Sequence, residues 1–233
     1  MKLSLPSIVV TGMLTHTAFA GGLIEQLPAD GTWVKFDMIT IDPRMRPEPE
    51  SQTLTMSSVG AVTVDGAKCR WIELKIVLKD DGKPQDLVKF LVPEQFLTAK
   101  EDPMCHVLKM GRMDGAKFAV WSDKPAIRKV PYHMFLCGPL ANVVSLPNVT
   151  VETKLGNLDC PIVTGRYEFA VSGILSLRGT FENQLHKNAP FGVVAMRVKI
   201  EMMQDGDAYE PTTWSLKWID AGTNAKSEMP DPP

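Results

Sequence analysis

Residues 72–79 read Ile72-Glu73-Leu74-Lys75-Ile76-Val77-Leu78-Lys79, an almost unbroken alternation of apolar and charged side chains. Successive side chains of a β-strand point to opposite faces, so this period of two puts Ile72, Leu74, Ile76 and Leu78 on one face and the charges on the other. The pattern recurs in both directions along the chain. Val34-Lys35-Phe36-Asp37-Met38, Leu54-Thr55-Met56 and Val62-Thr63-Val64 precede it, and Tyr167-Glu168-Phe169, Val194–Glu201 and Trp214-Ser215-Leu216-Lys217-Trp218 follow. Asp65-Gly66, Asp80–Pro84 and Gly173 supply turns between such runs. Strands of a parallel sheet, buried on both faces, read as continuous apolar runs, so the alternation indicates antiparallel pairing. A sheet with one apolar face must cover that face or curl around it. The expected class is α+β, mainly antiparallel β: a curved sheet or half-barrel with a few helices over its concave face.

The middle of the chain supplies candidate covers. Pro93-Glu94-Gln95-Phe96-Leu97 has proline at a plausible helix start, and Tyr132–Ser145 carries Met134, Phe135, Leu136 and Leu140, broken by Gly138-Pro139. Lys117–Trp121 reads as a short strand. Pro190-Phe191-Gly192 can turn a hairpin between Phe181–His186 and Val193–Met202, because Pro fixes φ and Gly permits positive φ; Phe191 would then cap the core.

The 233 residues hold 25 Lys+Arg and 27 Asp+Glu, with 44% hydrophobic residues, enough for one compact domain over residues 21–222. Met1–Ala20 has the form of a signal peptide: Lys2, an apolar stretch from Leu3 to Leu14, and the small-x-small end Ala18-Phe19-Ala20. Removing it leaves 24 basic and 27 acidic residues, a net charge of −3, without the basic surface that nucleic-acid binding needs. No further stretch approaches the length of a transmembrane helix, so a periplasmic or secreted product is expected. Residues 223–233, with three prolines and no apolar period, read as a flexible tail.

Four cysteines, Cys69, Cys105, Cys137 and Cys160, in an oxidising compartment point to at least one disulfide. Sequence leaves three full pairings open; Cys105–Cys137 is favoured because it would staple the irregular middle. No Cys-x-x-Cys occurs and His106, His133 and His186 lie far apart, so neither a metal site nor a cofactor is expected. A nucleophile elbow, a phosphate-binding loop and a dinucleotide fingerprint are all missing, which argues against an enzyme, although carboxylates from distant loops can converge in space and a loop-based hydrolase stays open as the third reading. Glu73, Glu168, Glu182 and Glu201 sit beside Lys or Arg as expected of cross-strand pairs on solvent faces, and Arg70, Arg166 and Arg197 read as solvated strand-face charge. Asn148-Val149-Thr150 is a glycosylation sequon only in a source that glycosylates secreted chains.

The inward face would comprise Phe36, Met38, Leu54, Met56, Ile72, Leu74, Ile76, Leu78, Phe169, Met196, Val198, Trp214, Leu216 and Trp218, with no polar group among them. Either it is a packed core or part of it lines an apolar cavity. Eleven methionines remain after residue 20, some on strands where β-branched residues are commoner. Flexible, polarisable Met suits both an irregular core and a promiscuous apolar surface. Phe36, Met38, Leu74, Ile76, Met196, Val198, Trp214 and Trp218 are the candidate ligand-binding residues.

The Leu185–Val194 segment, with its polar strand end followed by Pro190-Phe191-Gly192 and an apolar strand, is similar to the strand-turn-strand of LolA/LolB-like periplasmic lipoprotein carriers. Trp218–Ser227 is similar to the last strand and tail of uncharacterised secreted bacterial proteins of that type. The resemblance spans roughly residues 30–227; the four cysteines and the polar insert Arg44–Ser51 depart from it. It implies an incomplete barrel around a hydrophobic cavity for acyl chains, and no functional residue carries over by position. The function expected is a binding protein holding a lipid or other hydrophobic ligand non-covalently. The alternative is a non-catalytic envelope module, structural or protein-binding, with a filled core.

Overall fold

A computed structural model of the chain describes residues 21–46, 48–98, 101–114, 117–122, 135–136, 140–170, 175–205 and 207–230. Among the described residues, twelve strands make one antiparallel sheet. They are β1 (Trp33–Ile41), β2 (Glu50–Val64), β3 (Ala67–Leu78), β4 (Pro84–Pro93), β5 (Lys109–Asp114), β6 (Lys117–Trp121), β7 (Ala141–Thr153), β8 (Gly156–Ala170), β9 (Leu175–Leu185), β10 (Val193–Gln204), β11 (Asp207–Ala208) and β12 (Thr212–Gly222). Their order is β6-β5-β4-β3-β2-β1-β12-β10-β9-β8-β7, with the short β11 paired to β10. The sheet is thus two meanders, joined where the first long strand lies against the last.

Turn chemistry explains the hairpins. Asp65 and Gly66, between β2 and β3, both take positive φ (49° and 80°), the backbone of the two-residue turn that matches strand twist. Gly192 closes the β9–β10 connection at φ 87°, where His186 N–H donates to the Gly192 carbonyl at 3.0 Å; Phe191 is buried beneath it, as its position required. Gly173 lies outside the described residues.

Pro93 precedes a single helical turn, α1 (Glu94–Thr98), and a 3₁₀ turn follows at Pro103–Cys105, with Asp102 as its cap accepting from Met104 N–H. The helix expected over Tyr132–Ser145 does not form across its second part. Ala141–Ser145 begin β7, in a run dense with Val143, Val144, Val149 and Val151, whose branched side chains favour the pleated surface. Residues 132–134 and 137–139 lie outside the described residues.

The end of the chain is also a correction. Residues 224–230, expected to fray, pack on the outer face of β3. Ala225 N–H donates to the Gly31 carbonyl at 2.7 Å, and the Ser227 hydroxyl and Glu228 N–H both donate to the Glu73 carboxylate, at 2.6 and 3.2 Å. Met229 is buried beside them. Glu73, expected on a solvent face, is therefore buried under the tail. Arg70 is likewise buried, its guanidinium on Glu94 Oε1 at 2.6 Å and Ser58 Oγ at 2.9 Å. In contrast, Glu168 pairs with Arg178 across β8 and β9 on an exposed face as expected.

The sheet curls strongly. The β7–β8 turn reaches back to β12, where Lys154 Nζ lies 3.1 Å from Asp220 Oδ2, and the β4–β5 connection reaches β8, where the Tyr167 hydroxyl donates to Asp102 Oδ2 at 2.6 Å. Both arms therefore bend over one concave face.

Candidate functional site

Register assembles that face row by row. Val34, Met56, Leu74 and Val88 stand side by side on β1 to β4. The next row is Trp218, Phe36, Leu54 and Ile76, then Met38, Leu216, Met196 and Asn183, then Trp214, Val198 and Phe181. All eight candidate residues thus fall on one patch across β3, β2, β1, β12 and β10. Phe36, Met38, Leu74, Met196, Val198 and Trp218 are buried, none more than 5% exposed; Ile76 and Trp214 are half-buried at the margin. Each fully buried side chain of this size contributes ~1.5–3 kcal/mol by leaving water, which makes the patch a principal source of stability.

What covers it is irregular chain together with the curled arm of β7 and β8, whose Val151, Leu158, Cys160 and Val163 are buried in the same cluster. Leu23 and Ile24, Leu97 of α1, Met104 of the 3₁₀ turn, Phe135, Leu136 and Phe191 are buried in the same cluster as the strand face. The described residues 94–98 and 101–108 lie together as a strap. The Phe96 and His106 rings stack at 3.5 Å and 7°, His106 Nε2 lies 3.2 Å from Glu101 Oε2, and Asp102 receives Tyr167 from the far arm. Tyr167 in turn meets Phe181 edge-on at 6.5 Å. The Phe181 ring lies over Gly179, where a Cβ would come within 2.5 Å of it, so glycine makes the room for this aromatic pair.

The polar groups of the face escaped the sequence reading. Asn183 is buried between Phe181 and Leu185 of β9, its Nδ2 donating to the carbonyls of Gly22 at 3.2 Å and Gly21 at 3.5 Å. Its place two residues from each apolar neighbour is the signal that could have found it. On the outer face, Lys89 is buried with its Nζ 4.7 Å from the Trp71 ring, beside Glu73 in the register.

No disulfide joins any two of the described cysteines; Cys137, the partner favoured for Cys105, lies outside the described residues. Cys69 and Cys160 are buried, and burial pushes both thiols up. Among the described residues no group of three His, Cys, Asp or Glu could hold a metal ion, and no helix is long and apolar enough to cross a membrane. A groove of about 370 Å³ opens beside the first residues, lined by Glu25, Gln26, Pro161, Leu185, Lys187 and Gly192 among others. Its lining includes neither Met nor Trp of the strand face.

No model of a known protein family matches the chain. No curated protein matches it in sequence. Among solved structures it is similar to a Bacteroides fragilis protein described as exported with a YmcC-like fold (10% identity, TM-score 0.39), covering 89% of this chain and all of that one. It is similar also to a Parabacteroides distasonis protein described as a lipoprotein, at 9% identity and TM-score 0.37, over 86% of this chain and 98% of that one. Rv2717c of M. tuberculosis matches at 10% identity and TM-score 0.28, over 82% and 92% of the two chains.

Proposed function

We propose that this is an extracytoplasmic binding protein that holds a lipid or other hydrophobic molecule non-covalently on the concave face. The observation that carries the reading is one apolar patch continuous across five strands, covered in part by irregular segments and in part by the curled β7–β8 arm, with no long helix over it among the described residues. Irregular cover has few cooperative backbone bonds to break, so it opens more cheaply than a strand or a long helix. Ile76 and Trp214 extend the patch to a half-buried margin where an apolar chain can enter. The form of Met1–Ala20 supports export, and the resemblance to LolA/LolB-like carriers agrees with an acyl ligand.

The burial of the other six candidate residues favours a second reading, a non-catalytic envelope module whose core is filled by its own chain. Native mass spectrometry of the protein purified from its own cell envelope, with lipid extraction of any adduct, separates them. A co-purifying hydrophobic adduct, or saturable binding of a fluorescent fatty acid, is the expected result. Finding neither would overturn the carrier and leave the filled module.

A further inference from the structure

We propose that residues 21–27 are a built-in, displaceable occupant of the ligand site, and that the apolar chain of a fatty acid or acyl lipid takes the place of Leu23 and Ile24. The inference rests on the ligand-binding reading above and adds where the ligand lies and what it must move.

Gly21 to Ile24 are all buried although they belong to no helix or strand, and Leu23 and Ile24 are 0% and 4% exposed within the cluster formed by the strand face. An apolar dipeptide from outside the sheet therefore already fills space above it as a ligand would. Among the described residues, its hydrogen bonds lead mainly to other irregular segments. Leu23 N–H donates to the Phe135 carbonyl at 2.7 Å, Glu25 and Gln26 N–H donate to the Phe191 carbonyl at 2.9 and 3.2 Å, and the Gln26 side-chain amide donates to the Ala189 carbonyl at 2.7 Å. The Asn183 side chain ties the segment to the sheet itself, through the carbonyls of Gly21 and Gly22. A lipid carboxylate or ester oxygen could accept from that same amide.

Access is provided at the outer end of the segment. The groove of about 370 Å³ has Glu25, Gln26, Leu185 and Gly192 in its wall, a volume within the range that holds small molecules (~300–1,000 Å³). A ligand seated there touches the segment it must displace. Processing works in the same direction: cleavage after Ala20 would place a new ammonium group on buried Gly21. Taking an ammonium group out of water is unfavourable, so the processed segment is held less firmly than its apolar contacts alone imply.

The test uses the processed chain, residues 21–233, and a dansyl-labelled fatty acid. Hydrogen exchange read by mass spectrometry should show faster exchange in peptides covering residues 21–28 when the fatty acid is bound, reverting when it is removed. A chain lacking residues 21–26 should bind more tightly; if the uncovered state of the intact protein is populated at about one tenth, the gain is about tenfold. Binding with unchanged or increased protection of residues 21–28 would overturn the displacement and leave the carrier intact. Failure of both chains to bind would overturn the carrier reading and the displacement with it. Should the shortened chain fail to fold, exchange in the intact chain decides alone.

Discussion

Phe36→Ala is the perturbation that most directly measures how solidly the concave face is packed. Phe36 is fully buried, with Leu54 on one side and Trp218 on the other in the strand register. Deleting its ring loses the transfer free energy of a large apolar group and leaves a cavity that both neighbours, anchored in the sheet, can fill only in part. Losses of ~3–5 kcal/mol are usual for such a truncation. That is a fifth or more of the ~5–15 kcal/mol that holds most domains folded, and for a chain of this size it corresponds to a fall in Tm of roughly 6–20 °C. Trp214→Ala is the companion variant. Trp214 lies two rows away on the same face but is half-buried. About half the stability loss is expected there, with most of its effect on fatty-acid affinity. Denaturant titrations at constant m, followed by circular dichroism, give the stabilities, and dansyl fluorescence gives the affinities. A Phe36→Ala loss below ~1 kcal/mol would refute the reasoning, because a side chain without close neighbours on all sides leaves no costly cavity.

Other expectations follow from the polar contacts. Ser227→Ala removes the hydroxyl that donates to buried Glu73 and should cost ~1.5–3 kcal/mol, the range for hydrogen bonds to charged groups, read from the denaturation midpoint. The Arg44 guanidinium beside Asp42 holds that carboxyl below the ordinary aspartate range. A depressed carboxyl stabilises the fold above its unfolded value and loses this as pH falls through its folded value. Asp42→Asn should therefore be less stable than the parent by ~1 kcal/mol or less near neutrality, the gap closing below pH ~3.9 in thermal melts. Cys69 and Cys160, buried and with raised thiols, should resist iodoacetamide in the native protein and react after denaturation, as peptide mass spectrometry would report. Gly192→Ala must place a Cβ 2.8 Å from that of Glu25 at positive φ, and should lower the denaturation midpoint by the equivalent of ~1–3 kcal/mol.

Much of the sheet was legible because period two is a local signal. Ile72 to Leu78, Phe36 and Met38, and Trp214 to Trp218 lie on the faces their alternation assigned, and Asp65-Gly66 turns where the residue types demanded it. Register was not legible. Nothing in the residues of β1 announces that it pairs with β12, since that choice depends on how both meanders close. The tail was misread for a related reason: Ser227 and Met229 look unremarkable until Glu73 and the outer face of β3 are placed beneath them. Asn183 was passed over among the polar residues of β9 because its partners, Gly21 and Gly22, are separated from it by most of the chain. The patch of eight residues was legible as one face. The irregular part of its cover was not, because irregular segments carry no periodicity to read.

The pairing of β1 with β12 has a consequence for the order of events in folding. Within each meander, neighbouring strands are linked by short connections and can zip locally, but the central seam joins Trp33–Ile41 to Thr212–Gly222. That contact spans nearly the whole chain and closes a very long loop, the type of contact that makes folding slow. Until residue 222 has been synthesised and delivered, β1 offers an open edge in the middle of the future sheet, with Val34, Phe36 and Met38 unshielded beside it. A half-delivered chain is therefore at its most aggregation-prone along its own centreline, and completion of the last strand is the step that removes the hazard.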